Sequence, residues 1–207
     1  MNSDNSFKEN GFLLVKNFVE VDDLYTHLGT LVNNGKAKED EISGSYTFYK
    51  EGRCEKMLEK LLPKMELHTG YKLYKSYSYA RVYNIGNVLR AHVDREACEI
   101  SATICLGSTC KQWPIWILDK DEKAKSFVLD PGDALLFKAG EHTHWREVNT
   151  YGACTNLILH YVDQAGQYAS YRNDENSWKL ICKIPLFRSD LRIGFEKVRR
   201  SANKKTI

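Results

Sequence analysis

The 207-residue chain has no long apolar run. Nothing in it approaches the ~20 consecutive apolar residues of a membrane-spanning helix, and no membrane partner is expected. The opening stretch, MNSDNSFKEN, holds no apolar h-region. It does not read as a secretory signal, so a cytoplasmic location is expected. The chain also lacks any C-x-x-C pair. Its six cysteines, Cys54, Cys98, Cys105, Cys110, Cys154 and Cys182, are scattered. That argues against a zinc site or a disulfide framework and for reduced thiols. A strong excess of charge is missing as well: 30 Lys+Arg against 27 Asp+Glu leave a net +3 with His neutral. Such a balance gives no reason to expect nucleic acid as a partner. Internal repeats and low-complexity segments are absent too.

What is present is an ordinary globular composition, 43% hydrophobic and 28% charged, with 12 Tyr; this length suits one domain over 1–207. Residues 1–6 read as a disordered tail. GFLLVKNFV (11–19) reads as a strand, and Val21-Asp22-Asp23 opens a helix to about Asn33, with Leu24, Leu28, Leu31 and Val32 on its buried face. KAKEDEISGS (36–45) reads as a surface loop. Residues 53–67 read as a second helix carrying Pro63, which removes a hydrogen bond and kinks it. YKLYKSYSYARVY (71–83) alternates, so Tyr77, Tyr79, Arg81 and Tyr83 share one strand face.

Short strands then follow at 99–106, 113–118, 125–129, 133–137, 143–148 and 153–162, with turn signals between them. This spacing predicts a mainly β sandwich or barrel with the N-terminal helices packed on one face. Residues 174–183 and 189–200 are expected to be helical, and the basic end, RRSANKKTI, to be frayed.

Within this frame His92-Val93-Asp94 stands out. On an extended segment residues i and i+2 point the same way, so both side chains reach one metal. His142 and His144 follow on a later segment and share a parity; spacing alone does not choose between them. Two histidines and one carboxylate on one face of a metal make the facial triad of non-haem Fe(II) oxygenases. The blander reading is a surface His/Asp pair and a hydrogen-bonded strand histidine. The placement of the motif between strands favours the metal reading, with His92, Asp94 and His144 as ligands.

Tyr83-x-x-Gly86-x-x-Leu89-x-x-His92-x-Asp94 resembles the approach to the iron site of prolyl-4-hydroxylase-like Fe(II)/2-oxoglutarate dioxygenases. GFLLVKNFV followed by a helix is similar to their start. Pro131-Gly132-Asp133-Ala134-Leu135-Leu136-Phe137 resembles the turn and strand before their distal histidine, and Leu157–Asp163 their closing strand. The resemblance covers residues 10–163 as an oxygenase core and leaves 164–207 as a C-terminal extension. It implies a double-stranded β-helix of the jelly-roll or cupin-like kind, in the mainly β (α+β) class. It also implies Fe(II) and 2-oxoglutarate as cofactors, ascorbate as reductant, and O₂ as co-substrate. The implied reaction is hydroxylation of an unactivated C–H of a small molecule or peptidyl side chain, with release of succinate and CO₂. The position of the preceding strand in this pattern favours His144 over His142 as the distal ligand.

The chain departs from the pattern in one respect. The family places a Lys or Arg about ten residues after the distal histidine, to pair with the far carboxylate of 2-oxoglutarate; Cys154 stands there. A neutral thiol makes no charge-assisted pair with a carboxylate. Arg146, two residues after His144, faces the same interior and offers a planar guanidinium instead. Arg81 is a second candidate. Tyr83 matches the family's co-substrate hydroxyl, and Asn156 can add a hydrogen bond. Trp116 falls where this fold lines its pocket, although a core role is the commoner one for tryptophan. His160 on the closing strand is ambiguous. Two alternatives stand beside the oxygenase reading: a cupin-like metal enzyme that does not use 2-oxoglutarate, and a non-catalytic jelly-roll binding module.

Overall fold

The computed structural model describes residues 6–21, 23–41, 43–109 and 113–174. The helices expected over 174–183 and 189–200, apart from Asp174 itself, lie outside these residues, as do Cys110 and Cys182. The first described segment is a short helix, α1 (Ser6–Asn10), where a disordered tail was expected through residue 6. Phe7 anchors it in the core and is fully buried. The first strand, β1, is shorter than its apolar run, Phe12–Val15. The following helix α2 spans Leu24–Asn33, with Leu24 and Leu28 buried. The polar stretch taken as a loop contains a two-residue strand, β2 (Lys38–Glu39), paired with β3 (Tyr46–Tyr49). Hydrogen bonding to a neighbour decides such a short edge strand, and no local pattern announces it.

Helix α3 runs Gly52–Thr69. Glu51 caps it by accepting from the backbone N–H groups of Arg53 and Cys54, and Gly70 closes it in the left-handed region. The remaining strands are β4 (Leu73–Tyr83), β5 (Leu89–His92), β6 (Ile100–Ser108), β7 (Ile115–Leu118), β8 (Ala124–Phe127), β9 (Ala134–Phe137), β10 (His144–Arg146) and β11 (Cys154–Asp163). They form two antiparallel sheets. The larger has the order β1-β9-β6-β11-β4-β3-β2, and the smaller β5-β10-β7-β8.

Strand parity divides the larger sheet into two working faces. Ala80 on β4, Ala102 and Ile104 on β6, and Leu157 and Leu159 on β11 pack with Leu28, Leu58 and Met65 of the helices. The helices thus cover one sheet, as their apolar faces predict. The intervening residues face the smaller sheet. Tyr77 on β4 and Leu135 and Phe137 on β9 pack there with Ile115 and Ile117 of β7. The two inner faces pack against each other and leave a cavity between them. Trp116 is a correction to the sequence reading. It alternates with Ile115 and Ile117, so it points away from the interior and stacks on Trp145, with ring centroids 5.9 Å apart and planes at 11°.

Candidate metal centre and its cavity

Register brings the two histidines together. His92 ends β5 and His144 begins β10, and they are directly paired across the two strands. Asp94 lies two residues past His92, where its backbone N–H donates to the Ala139 carbonyl at 2.9 Å. His92 Nε2 is 3.3 Å and His144 Nε2 3.8 Å from Asp94 Oδ1. One donor atom from each of the three residues lies within 4.8 Å of the other two.

The other ring nitrogens are also accounted for. His92 Nδ1 donates to the Arg90 carbonyl at 2.7 Å, and His144 Nδ1 to the His142 carbonyl at 3.0 Å. A carbonyl only accepts, so each ring carries a proton on Nδ1 and directs Nε2 toward Asp94. A hydrogen bond from the far ring nitrogen in this way orients metal-ligating histidines. His142 lies elsewhere. Its Nδ1 meets the Leu118 carbonyl at 2.7 Å and its ring packs edge-on against Phe12.

The electrostatics match a cation site. Burial raises the cost of charging Asp94. The hydrogen bond from His92 and the nearby His144 and His160 outweigh that cost and hold its carboxyl well below the usual range. Burial, with His92 beside it, pushes His144 down to about 4. Burial disfavours the charged form of His92 too, but its hydrogen bond to Asp94 wins and raises it. At neutral pH the cluster therefore keeps a carboxylate and a neutral His144, the forms a divalent metal takes.

The triad sits at the wall of a cavity of about 80 Å³ that opens to solvent. Arg146 lies two residues beyond His144 on the same strand and is 3% exposed. It donates to the Trp113 carbonyl at 2.8 Å and to Asn156 Oδ1 at 3.3 Å, and its guanidinium lies 4.8 Å from the Trp113 ring centre. Among the described residues it has no carboxylate partner. Arg81 does: its guanidinium binds Asp40 together with Ser43 and Ser45. Arg81 also lines the cavity, but its charge is met by Asp40, whereas that of Arg146 is not met by a carboxylate among the described residues.

Tyr83 lines the cavity and packs edge-on against Trp113. Asn156 also lines it, and its Nδ2 donates to Cys154 Sγ at 3.3 Å. The cavity wall also includes Tyr77, Thr103, Arg95 and His160. Strand parity marks two of them, since Tyr77 shares a face with Tyr83 and His160 shares one with Asn156 on β11. Arg95 follows no parity because it lies outside any strand.

No protein-family model matches the chain, and no curated protein matches it. Solved structures do. A prolyl-4-hydroxylase from Pseudomonas putida superposes with a TM-score of 0.63 at 15% identity, over 75% of this chain and 94% of that one. A prolyl hydroxylase from Trichoplax adhaerens, in complex with a hypoxia inducible factor peptide fragment, gives 0.62 at 16% identity, over 77% and 87%. HygX from Streptomyces hygroscopicus, with nickel, 2-oxoglutarate and hygromycin B bound, gives 0.60 at 11%, over 77% and 86%. The chain has the fold of these 2-oxoglutarate–Fe(II) oxygenases. That fold is the expected double-stranded β-helix, and its helices lie where the sequence put them, on the larger sheet. No helix among the described residues is long and apolar enough to cross a membrane.

Proposed function

We propose that the protein is an Fe(II)- and 2-oxoglutarate-dependent oxygenase that hydroxylates an unactivated C–H of a small molecule or peptidyl side chain. One juxtaposition carries this reading. His92, Asp94 and His144, each histidine anchored through Nδ1, share a cavity with a buried guanidinium that has no carboxylate partner among the described residues. A buried charge without a counter-charge is costly, and a dicarboxylate that also meets the metal removes that cost. Bound Fe(II) and 2-oxoglutarate supply the oxidation, coupling O₂ to the substrate C–H with release of succinate and CO₂.

The chain's own residues hold and orient. His92, Asp94 and His144 would hold the metal, the donor set of a facial triad. Arg146 takes the far carboxylate, Asn156 fixes the guanidinium, and the Tyr83 hydroxyl adds a donor. Trp113 and the inner face of β4 keep water from that end. HygX, with nickel and 2-oxoglutarate bound, supports this pairing of groups in this fold. The neighbours, one in complex with a peptide fragment and one with hygromycin B bound, span both substrate classes.

The test is succinate formation by purified protein given Fe(II), ascorbate and 2-oxoglutarate, with calorimetry of 2-oxoglutarate binding to the metal-loaded form. Binding that disappears in Arg146→Ala is the expected result. Protein that binds metal but not 2-oxoglutarate has the cupin-like chemistry instead, and protein that binds neither is a binding module.

A further inference from the structure

We infer that His160 is a hydrogen-bond acceptor facing the substrate, held in that role by Ser101, and that the substrate carries an O–H or N–H donor close to the carbon that reacts. The word substrate rests on the oxygenase reading; the assignment of the acceptor does not. Ser101 Oγ has two partners, the Cys98 carbonyl at 3.1 Å and His160 Nδ1 at 2.8 Å. The carbonyl has no proton to give, so the single hydroxyl proton goes to it. His160 Nδ1 must then be the donor to Ser101, and a neutral ring protonated at Nδ1 presents a lone pair at Nε2.

The ring is fixed. It is 4% exposed and stacks on Tyr77 with centroids 4.4 Å apart. It lines the cavity, and one of its nitrogens lies within 4.8 Å of an Asp94 carboxylate oxygen. Among the described residues Nε2 has no hydrogen-bond partner. Nε2 opens onto the cavity rather than onto a protein donor, so a ligand that fills the cavity must offer a donor there or leave this acceptor desolvated at a cost.

Position along β11 says which ligand. Asn156, bound to Arg146, and His160 are four residues apart on one strand face, roughly 13 Å at the rise of an extended chain. A dicarboxylate reaching Arg146 extends toward the Asn156 end of the cavity. The group that meets His160 therefore belongs to a second molecule, and its donor lies beside the metal ligands.

Full-length protein labelled with ¹⁵N and loaded with Zn(II) and 2-oxoglutarate tests this in a long-range ¹H–¹⁵N spectrum. Cyclopentanol and cyclopentanone serve as probes of one size, with and without a donor. The expected spectrum shows His160 protonated at Nδ1, with an Nε2 signal that shifts on adding cyclopentanol and not cyclopentanone. Cyclopentanol should bind roughly tenfold tighter, the worth of one hydrogen bond. His160→Phe, which keeps a ring against Tyr77, should abolish the preference and keep the zinc. Ser101→Ala leaves the imidazole in place but removes its anchor, so it should mix the tautomers and weaken the preference. A proton on Nε2, no preference between the probes, or loss of zinc from His160→Phe as complete as from His92→Ala overturns the inference. Failure of the oxygenase reading appears separately, as no binding of 2-oxoglutarate to unsubstituted protein with the Nδ1–H tautomer still observed.

Discussion

Two arginines on the inner faces of the sheets have opposite expected behaviour. Arg81 is paired with Asp40, and both are largely buried. Arg81→Ala removes that ion pair and should cost roughly 3 kcal/mol of stability, read as a lowered urea midpoint. Arg146→Ala should leave the midpoint nearer the parent value and weaken 2-oxoglutarate binding at least tenfold, since a charge-assisted bidentate pair is lost. The two histidines divide the same way. His144→Ala should abolish stoichiometric metal binding measured by metal analysis, whereas His142→Ala should retain it.

The sequence could not separate that second pair by spacing because His142 lies in the bend before β10, where side chains no longer alternate. Parity is a property of extended backbone. It therefore made Tyr83 and Arg146 legible and left His142 and His144 equivalent. Arg81 shows a second limit. Its strand face was read correctly, but its partner Asp40 is 41 residues away and no local pattern announces it.

At the scale of elements, the placement of β9 depends on the turn before it. Gly132 has φ +92°, and a Cβ there would lie 2.6 Å from the Val19 carbonyl oxygen. Its own backbone joins two elements, since its N–H donates to Cys105 and its carbonyl accepts from Val19. Gly132→Ala should therefore destabilise the fold by roughly 2–3 kcal/mol, through an unfavourable backbone region together with a clash against backbone. Thermal unfolding checks it, and a variant with an unchanged midpoint would sink the argument. The Pro-Gly-Asp signal announced this turn, and the strands after it were legible from their apolar runs. The pair β2–β3 was not, because two hydrogen-bonded residues on each side carry too little pattern.

For the whole molecule, acid is the expected weakness. Burial, helped by Arg95 and only partly offset by Asp94, pushes His160 down to about 4, as burial does His144. Unfolded histidine titrates near 6.5. Between the two values the unfolded chain binds more protons, so stability rises with pH across that window. The contribution is full above about pH 6.5 and is lost as pH falls toward 4, roughly 3 kcal/mol for each ring. The raised His92 works the other way: its contribution is present below its unfolded value and fades as pH rises through the folded one. Urea midpoints of metal-free protein should fall between pH 7 and pH 5. A higher midpoint at pH 5 contradicts the balance.

The shared strand of His144 and Arg146 has a further consequence. The metal ligand and the guanidinium are separated by two residues of one extended segment, a spacing of about 6.8 Å between their backbone positions. Covalent geometry fixes that interval, and sheet-to-sheet packing has little leverage over it. The strand thus acts as a molecular ruler for the diacid. One chain length suits it, and 2-oxoadipate, one methylene longer, should compete poorly even where the cavity has room to spare.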